Sequence, residues 1–189
     1  MINITPARTF KTLPWKNGKG ETTELVINSG GTLDNFNWRI SIASVTENGI
    51  FSDFSGYMRN LVLIQGDSIY LTHDERKTDK LTQILDVATF DGSSKTLGTL
   101  PSGEIKDFNI ITSKTKCEVR VHTYLTQITQ EIDFNGFVFA YSLSGNIKLK
   151  DQQNIRSQVN QGDLLQLTCP KEIELSGKDL ILVYISEID

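Results

Sequence analysis

The sequence predicts an all-β fold. Apolar and polar residues alternate with a period of two over several segments, glycine-bearing turns recur between those segments, and no stretch carries a long apolar stripe at helical spacing. Thr23, Leu25 and Ile27 alternate with Thr22, Glu24 and Val26. Trp38, Ile40 and Ile42 alternate with Arg39, Ser41 and Ala43. Cys117, Val119, Val121, Thr123 and Leu125 alternate with Glu118, Arg120, His122 and Tyr124. Such alternation gives each strand two different faces. Asn17-Gly18, Gly30-Gly31, Asn48-Gly49, Asp91-Gly92, Asn135-Gly136, Ser144-Gly145-Asn146 and Gly162-Asp163 mark the turns, and many short strands so separated make a sandwich or a barrel. Residues 78–87 are the best helical candidate, but the segment is short and equally strand-like.

A chain of 189 residues forms one large domain or two small intertwined ones. It can bury roughly 70% of its unfolded surface, so its core needs neither disulfide nor metal. Lys plus Arg number 19 and Asp plus Glu 23, a net charge of −4. That argues against binding a nucleic-acid backbone, which requires a basic face. Two His and two Cys are the most restrictive count. A structural zinc site usually takes four such ligands, and the chain has no C-x-x-C, H-x-H or H-E-x-x-H, so no metal or other cofactor is expected. The two cysteines read as buried small hydrophobes in a reducing cytosol. The first residues lack a basic segment followed by an apolar one, and no apolar run approaches the roughly 18 residues of a membrane span. A cytoplasmic protein without membrane partners is expected.

A faint repeat joins Ile64-Gln65-Gly66-Asp67-Ser68-Ile69-Tyr70-Leu71 to Leu143-Ser144-Gly145-Asn146-Ile147-Lys148-Leu149, about 79 positions on. Each is an apolar strand, a Gly-centred turn and an alternating strand, which suggests two similar β-barrel halves. Gln152 to Gln161 is polar and reads as a loop inside the second half.

Four segments carry candidate chemistry. Pro14-Trp15-Lys16-Asn17-Gly18-Lys19-Gly20 reads as a hairpin turn, and equally as a ligand wall in which Trp15 stands beside a cationic and an amide side chain. It is not a P-loop, since Leu13 and Gly20 occupy positions that motif reserves for other residues. Arg39 lies either on a solvated face or in a barrel lumen, where it needs an acidic partner such as Glu24 or an anionic ligand. Arg59 lies at the surface or at a pocket rim, where its planar fork suits a carboxylate. Asp107 and Asn109 share one strand face, either capping a sheet end or reading a ligand amine, imine or hydroxyl. His122 and His73 read as surface residues, His73 because a charged loop follows it.

Taken together and in this order, these segments resemble the HutD/Ves family. The matches are Pro14-Trp15-Lys16-Asn17-Gly18 with Gly20, Thr22 and Glu24; Phe36 with Trp38-Arg39-Ile40-Ser41-Ile42-Ala43; Gly49 with Phe51-Ser52, Phe54, Gly56 and Arg59; then Phe90-Asp91-Gly92 and Asp107-Phe108-Asn109. Lys19, Asn37, Ile50 and Ser55 depart from the family pattern, and Lys19 adds charge beside the expected pocket. The resemblance implies an all-β bicupin: one compact unit over residues 1–189, with halves of about 1–115 and 116–189 that exchange strands. It also implies regulation of histidine utilisation by sensing formiminoglutamate or a related acid, or the stress-response role described for the Ves branch. Many cupins hold a metal through histidines and a glutamate, a set this chain lacks.

Three functions of different classes fit these residues. The favoured one is a metal-free bicupin binding a small anionic metabolite, with Trp15 as apolar wall and Lys16, Arg39 and Arg59 engaging carboxylates. Asn17, Glu24, Asp107 and Asn109 would orient those cations or read nitrogen groups. If Glu24 is a buried partner of Arg39, loss of Arg39 should cost about 3–5 kcal/mol. The second is a metal-independent enzyme using Glu24 or Asp107 as general base on a small acid or imine. The third is a Ves-like interaction protein. Exposed cupin sheet edges would permit a homodimer.

Overall fold

The computed structural model describes residues 1–15, 18, 20–151, 153 and 156–188. Lys16 and Asn17 therefore lie outside the described residues. Among those described, the single helical segment is a 3-10 turn at Ala7–Thr9, and no helix is long and apolar enough to cross a membrane. The strands are β1 (Ile2–Thr5), β2 (Lys11–Pro14), β3 (Gly20–Ile27), β4 (Trp38–Val45), β5 (Gly49–Ile50), β6 (Tyr57–Gln65), β7 (Ile69–His73), β8 (Lys77–Leu81), β9 (Val87–Asp91), β10 (Thr96–Thr99) and β11 (Ile105–Ser113). They continue with β12 (Cys117–Tyr124), β13 (Ile128–Ile132), β14 (Phe137–Ser142), β15 (Ile147–Lys150), β16 (Arg156–Val159), β17 (Leu164–Thr168), β18 (Ile173–Gly177) and β19 (Leu180–Glu187).

The chain divides into two units, Lys11–Cys117 and Met1–Phe10 with Glu118–Asp189. The first ten residues join the C-terminal unit because β1 pairs antiparallel with β17. In the Lys11–Cys117 unit, a six-stranded sheet in the order β2-β3-β4-β11-β6-β9 accompanies a four-stranded sheet in the order β5-β10-β7-β8. Leu61, Leu63, Ala43, Val45 and Phe90 of the large sheet pack with Ile69, Leu71 and Leu81 of the small one. Period-two alternation selects these residues, since each strand turns every second side chain to the same face. The other unit has sheets β1-β17-β14-β19-β12 and β13-β18-β15-β16 around a core that includes Val138, Ala140, Leu165, Leu175, Leu180 and Leu182.

The two units share one strand order. β4-β11-β6-β9 corresponds to β12-β19-β14-β17, and β5-β10-β7-β8 to β13-β18-β15-β16. With the turn glycines Gly66 and Gly145 aligned, Arg59 falls on Val138. The registers Arg59↔Ile111, Leu61↔Asn109 and Leu63↔Asp107 then fall on Val138↔Tyr184, Ala140↔Leu182 and Ser142↔Leu180. Gly66 itself needs to be glycine: its φ is +91°, and a Cβ there would stand 2.6 Å from the Glu104 carbonyl oxygen.

Residues 78–87 form strand ends and a turn rather than a helix. β8 and β9 flank a turn in which the Asp86 carboxylate accepts from the Thr82 and Gln83 amides at 2.8 and 2.9 Å, and Leu85 takes φ +73°. That left-handed residue is incompatible with a continuing right-handed helix.

Candidate ligand-binding site

A cavity of about 790 Å³ opens in the Lys11–Cys117 unit. Its wall follows the period of two: Arg39, Ser41, Ala43 and Val45 from β4, Asp107, Asn109 and Ile111 from β11, and Arg59 from β6. Trp15, Thr22, Glu47, Phe51 and Phe54 also line it. The space is within the usual range for a small-molecule site.

Arg59 is the centre of the arrangement. Only 5% of it is exposed, and its guanidinium lies over the rings of Phe51, Phe54 and Phe90 at 5.2, 5.3 and 5.2 Å. Three ring faces offer a desolvated cation some of the stabilisation that water would have given. Its Nη2 donates to Asn109 Oδ1 at 2.8 Å, and Asn109 Nδ2 donates to Asp107 Oδ1. Arg59 Nε and Asp107 Oδ2, both buried, have no partner among the described residues. Burial is the main cause that lowers the Arg59 pKa to about 10; Asp107 pulls it up and Arg39 pushes it down. Burial raises the Asp107 carboxyl to about 7 against the opposing pull of Arg59. Arg59 is thus charged at neutral pH, while Asp107 is poised near its midpoint.

A second pair stands on the same sheet. Arg39 Nε donates to Glu24 Oε2 at 3.1 Å, with side chains 12% and 36% exposed. Glu24 reaches the cavity only through Arg39. Of the two alternatives for Arg39, the structure shows the cavity face with Glu24 as partner, and the pair is open to water on its acidic side. Trp15 Nε1 donates to Thr22 Oγ1 at 2.7 Å, which fixes the indole against the wall.

Of the sequence-predicted site residues, Trp15, Arg39, Arg59, Asp107 and Asn109 line one cavity, Glu24 backs Arg39, and Lys16 and Asn17 lie outside the described residues. Arg59 is buried within the cavity rather than placed at its rim or at the surface, because three rings and Asn109 draw it inward. Thr22, Glu47 and Phe90 were not among the expected site residues, although Thr22 and Phe90 stand in the family-matching segments. Thr22 sits two positions before Glu24, so the period of two carried a signal; nothing in the sequence brings Phe90 to Arg59.

His73 is buried, contrary to its surface reading. Its Nδ1 lies 2.9 Å from Thr96 Oγ1, its Nε2 3.2 Å from Asp79 Oδ2, and its ring lies tilted against Phe90 with centroids 4.6 Å apart. The charged turn after it faces solvent, but as the last residue of β7 His73 keeps the inward face. His122 is exposed. Cys117 is buried and Cys169 exposed, the latter because it lies in the turn after β17 with φ +43°. Among the described residues, no three His, Cys, Asp or Glu side chains converge to hold a metal, and the cavity wall has neither His nor Cys. A histidine-held cupin metal does not fit this wall.

The second unit supplies an internal comparison. Its positions equivalent to Arg59, Asn109 and Asp107 are Val138, Leu182 and Leu180, all fully buried in an apolar core. The strand framework therefore does not require a buried charge at these places.

A profile of the HutD family matches residues 7–183. The chain is 37% identical over 123 residues to an uncharacterized 21.2 kDa protein in the hutC 3′ region of Pseudomonas putida, a match covering 65% of this chain and 64% of that protein. It is 35% identical over 139 residues to protein Ves of Citrobacter koseri, covering 73% and 71%. The structure of HutD from Pseudomonas fluorescens SBW25 (formate condition) superposes with a TM-score of 0.86 at 28% identity, covering 100% of both chains. With the repeated strand order, this likeness makes the fold an all-β bicupin.

Proposed function

The chain belongs to the HutD family, and from that membership we propose that it is a metal-free bicupin that binds a small carboxylate-bearing metabolite. The observation that carries this reading is Arg59: a charged guanidinium, 5% exposed, lining a cavity of about 790 Å³ with its Nε unpartnered among the described residues. A buried polar hydrogen without an acceptor is costly, and a ligand oxyanion would satisfy it. Arg39 provides a second cation, Trp15 an apolar wall, and Glu24, Asn109 and Asp107 hold or balance the cations.

The metabolite class is that of histidine breakdown, formiminoglutamate or a related acid, and the role is to sense it. The relative in the hutC 3′ region supports the association. The place of action is the cytoplasm, which suits the exposed Cys169 thiol. The test is a thermal-shift panel of histidine, urocanate, formiminoglutamate, formylglutamate and glutamate. A ligand at 100 times its Kd should add about 2.7 kcal/mol to stability. Flat curves for all five would refute the histidine link, and a Ves-like role would then stand in its place.

A second reading draws on Asp107, whose raised carboxyl suits a general base at neutral pH. It requires turnover of one of these acids that disappears in Asp107→Asn; binding without turnover removes it.

A further inference from the structure

We infer that anion binding in this cavity is coupled to proton uptake: as a carboxylate settles on Arg59, Asp107 takes a proton from solvent onto Oδ2, the oxygen that Asn109 does not hold. The inference rests on the carboxylate reading above and deepens it. Without ligand, Arg59 and Asp107 balance one another through Asn109 in a region where both are almost wholly buried. An incoming carboxylate adds a second negative charge beside one guanidinium. Two carboxylates sharing one buried cation cannot both stay ionised cheaply, and the one without water gives way. Asp107 is that group, since it is 0% exposed. Burial already favours its neutral form, and Arg59 is what opposes it. A ligand anion on Arg59 cancels that opposition.

Among the described residues, the surrounding charges supply no alternative proton acceptor of equal burial. Arg39 on β4 is engaged by Glu24 on β3, and Glu24 reaches solvent. Glu47, after β4, lies at the exposed part of the wall. From β7, His73 faces Phe90 and is held by Thr96 and by Asp79, which Lys77 also contacts. Lys106, beside Asp107 on β11, is exposed and on the opposite strand face.

Acetate serves as the probe. Its affinity for the wild-type protein and for Asp107→Asn is measured by calorimetry at pH 7.5 and 8.5, in buffers of different ionisation heat so that protons are counted. For the wild type, Kd should rise close to tenfold over that unit, with nearly one proton taken up at the higher pH. Asp107→Asn carries a permanently neutral side chain of the same shape. It should bind acetate with less than a twofold change over the interval, and more tightly than the wild type at pH 8.5. A wild-type Kd that does not move with pH, or a pH dependence that survives in Asp107→Asn, would overturn the inference while leaving the carboxylate reading intact. If Asp107→Asn fails to fold, the wild-type proton count decides alone. Acetate bound by neither protein would overturn the carboxylate reading and this inference with it.

Discussion

Transplanting the second unit's residues into the first separates fold from function at the buried cluster. Asp107→Leu alone removes the counter-charge of Arg59, which is 5% exposed and keeps only Asn109 Oδ1 and three ring faces. The stranded guanidinium and the Asn109 amide, which loses its acceptor, are each left buried and unsatisfied at a cost of about 1–3 kcal/mol. The triple change Arg59→Val, Asn109→Leu, Asp107→Leu removes the whole cluster and installs the residues found at Val138, Leu182 and Leu180. Replacing a buried pair by apolar residues is neutral or stabilising by about 1–4 kcal/mol. The triple variant should therefore be more stable than Asp107→Leu by about 3 kcal/mol or more, despite carrying two further changes. In a chain of this size about 1 kcal/mol moves Tm by roughly 2–4 °C, so the gap should be at least about 6 °C by calorimetry at pH 8. The triple variant should also lose carboxylate binding. A triple variant melting at or below the single one would refute the view that the cluster is kept for binding against the preference of the fold.

Two other outcomes are expected. Arg39→Ala should cost only about 1 kcal/mol in urea unfolding, because Glu24 is 36% exposed and water solvates the carboxylate left behind; ligand affinity should fall more than tenfold, and a loss above 3 kcal/mol would mean the pair is sealed. Stability should also depend on Asp107 ionisation. Its folded pKa, about 7, lies above the unfolded value, so the stability it contributes is complete below about pH 4 and lost as pH rises through 7. Urea midpoints of the wild type should fall relative to Asp107→Asn over that window, by on the order of 4 kcal/mol in free energy; parallel curves would show that Asp107 is not perturbed.

The class of fold was legible in the chain, because a period of two and glycine turns are local properties that no tertiary contact has to supply. So were the faces of β4 and β11 that hold Arg39, Asp107 and Asn109, since alternation fixes side-chain direction once a strand forms. The count of two His and two Cys likewise set the expectation of chemistry by charge and hydrogen bonding. Burial and partnership arise only when distant strands pack. Whether Arg59 is a surface arginine or a caged one depends on Phe51 and Phe54 from the loop before β6 and on Phe90 from β9. His73 reads as exposed from its charged neighbours, yet Phe90, Thr96 and Asp79 enclose it. The first ten residues belong with the C-terminal unit because β1 finds its partner in β17. Such pairings join residues far apart in the chain, and local pattern holds no record of them. Asp107 shows the division most clearly: its face is written in the sequence, but its charge is set by the low dielectric and by Arg59, the cation the fold places near it.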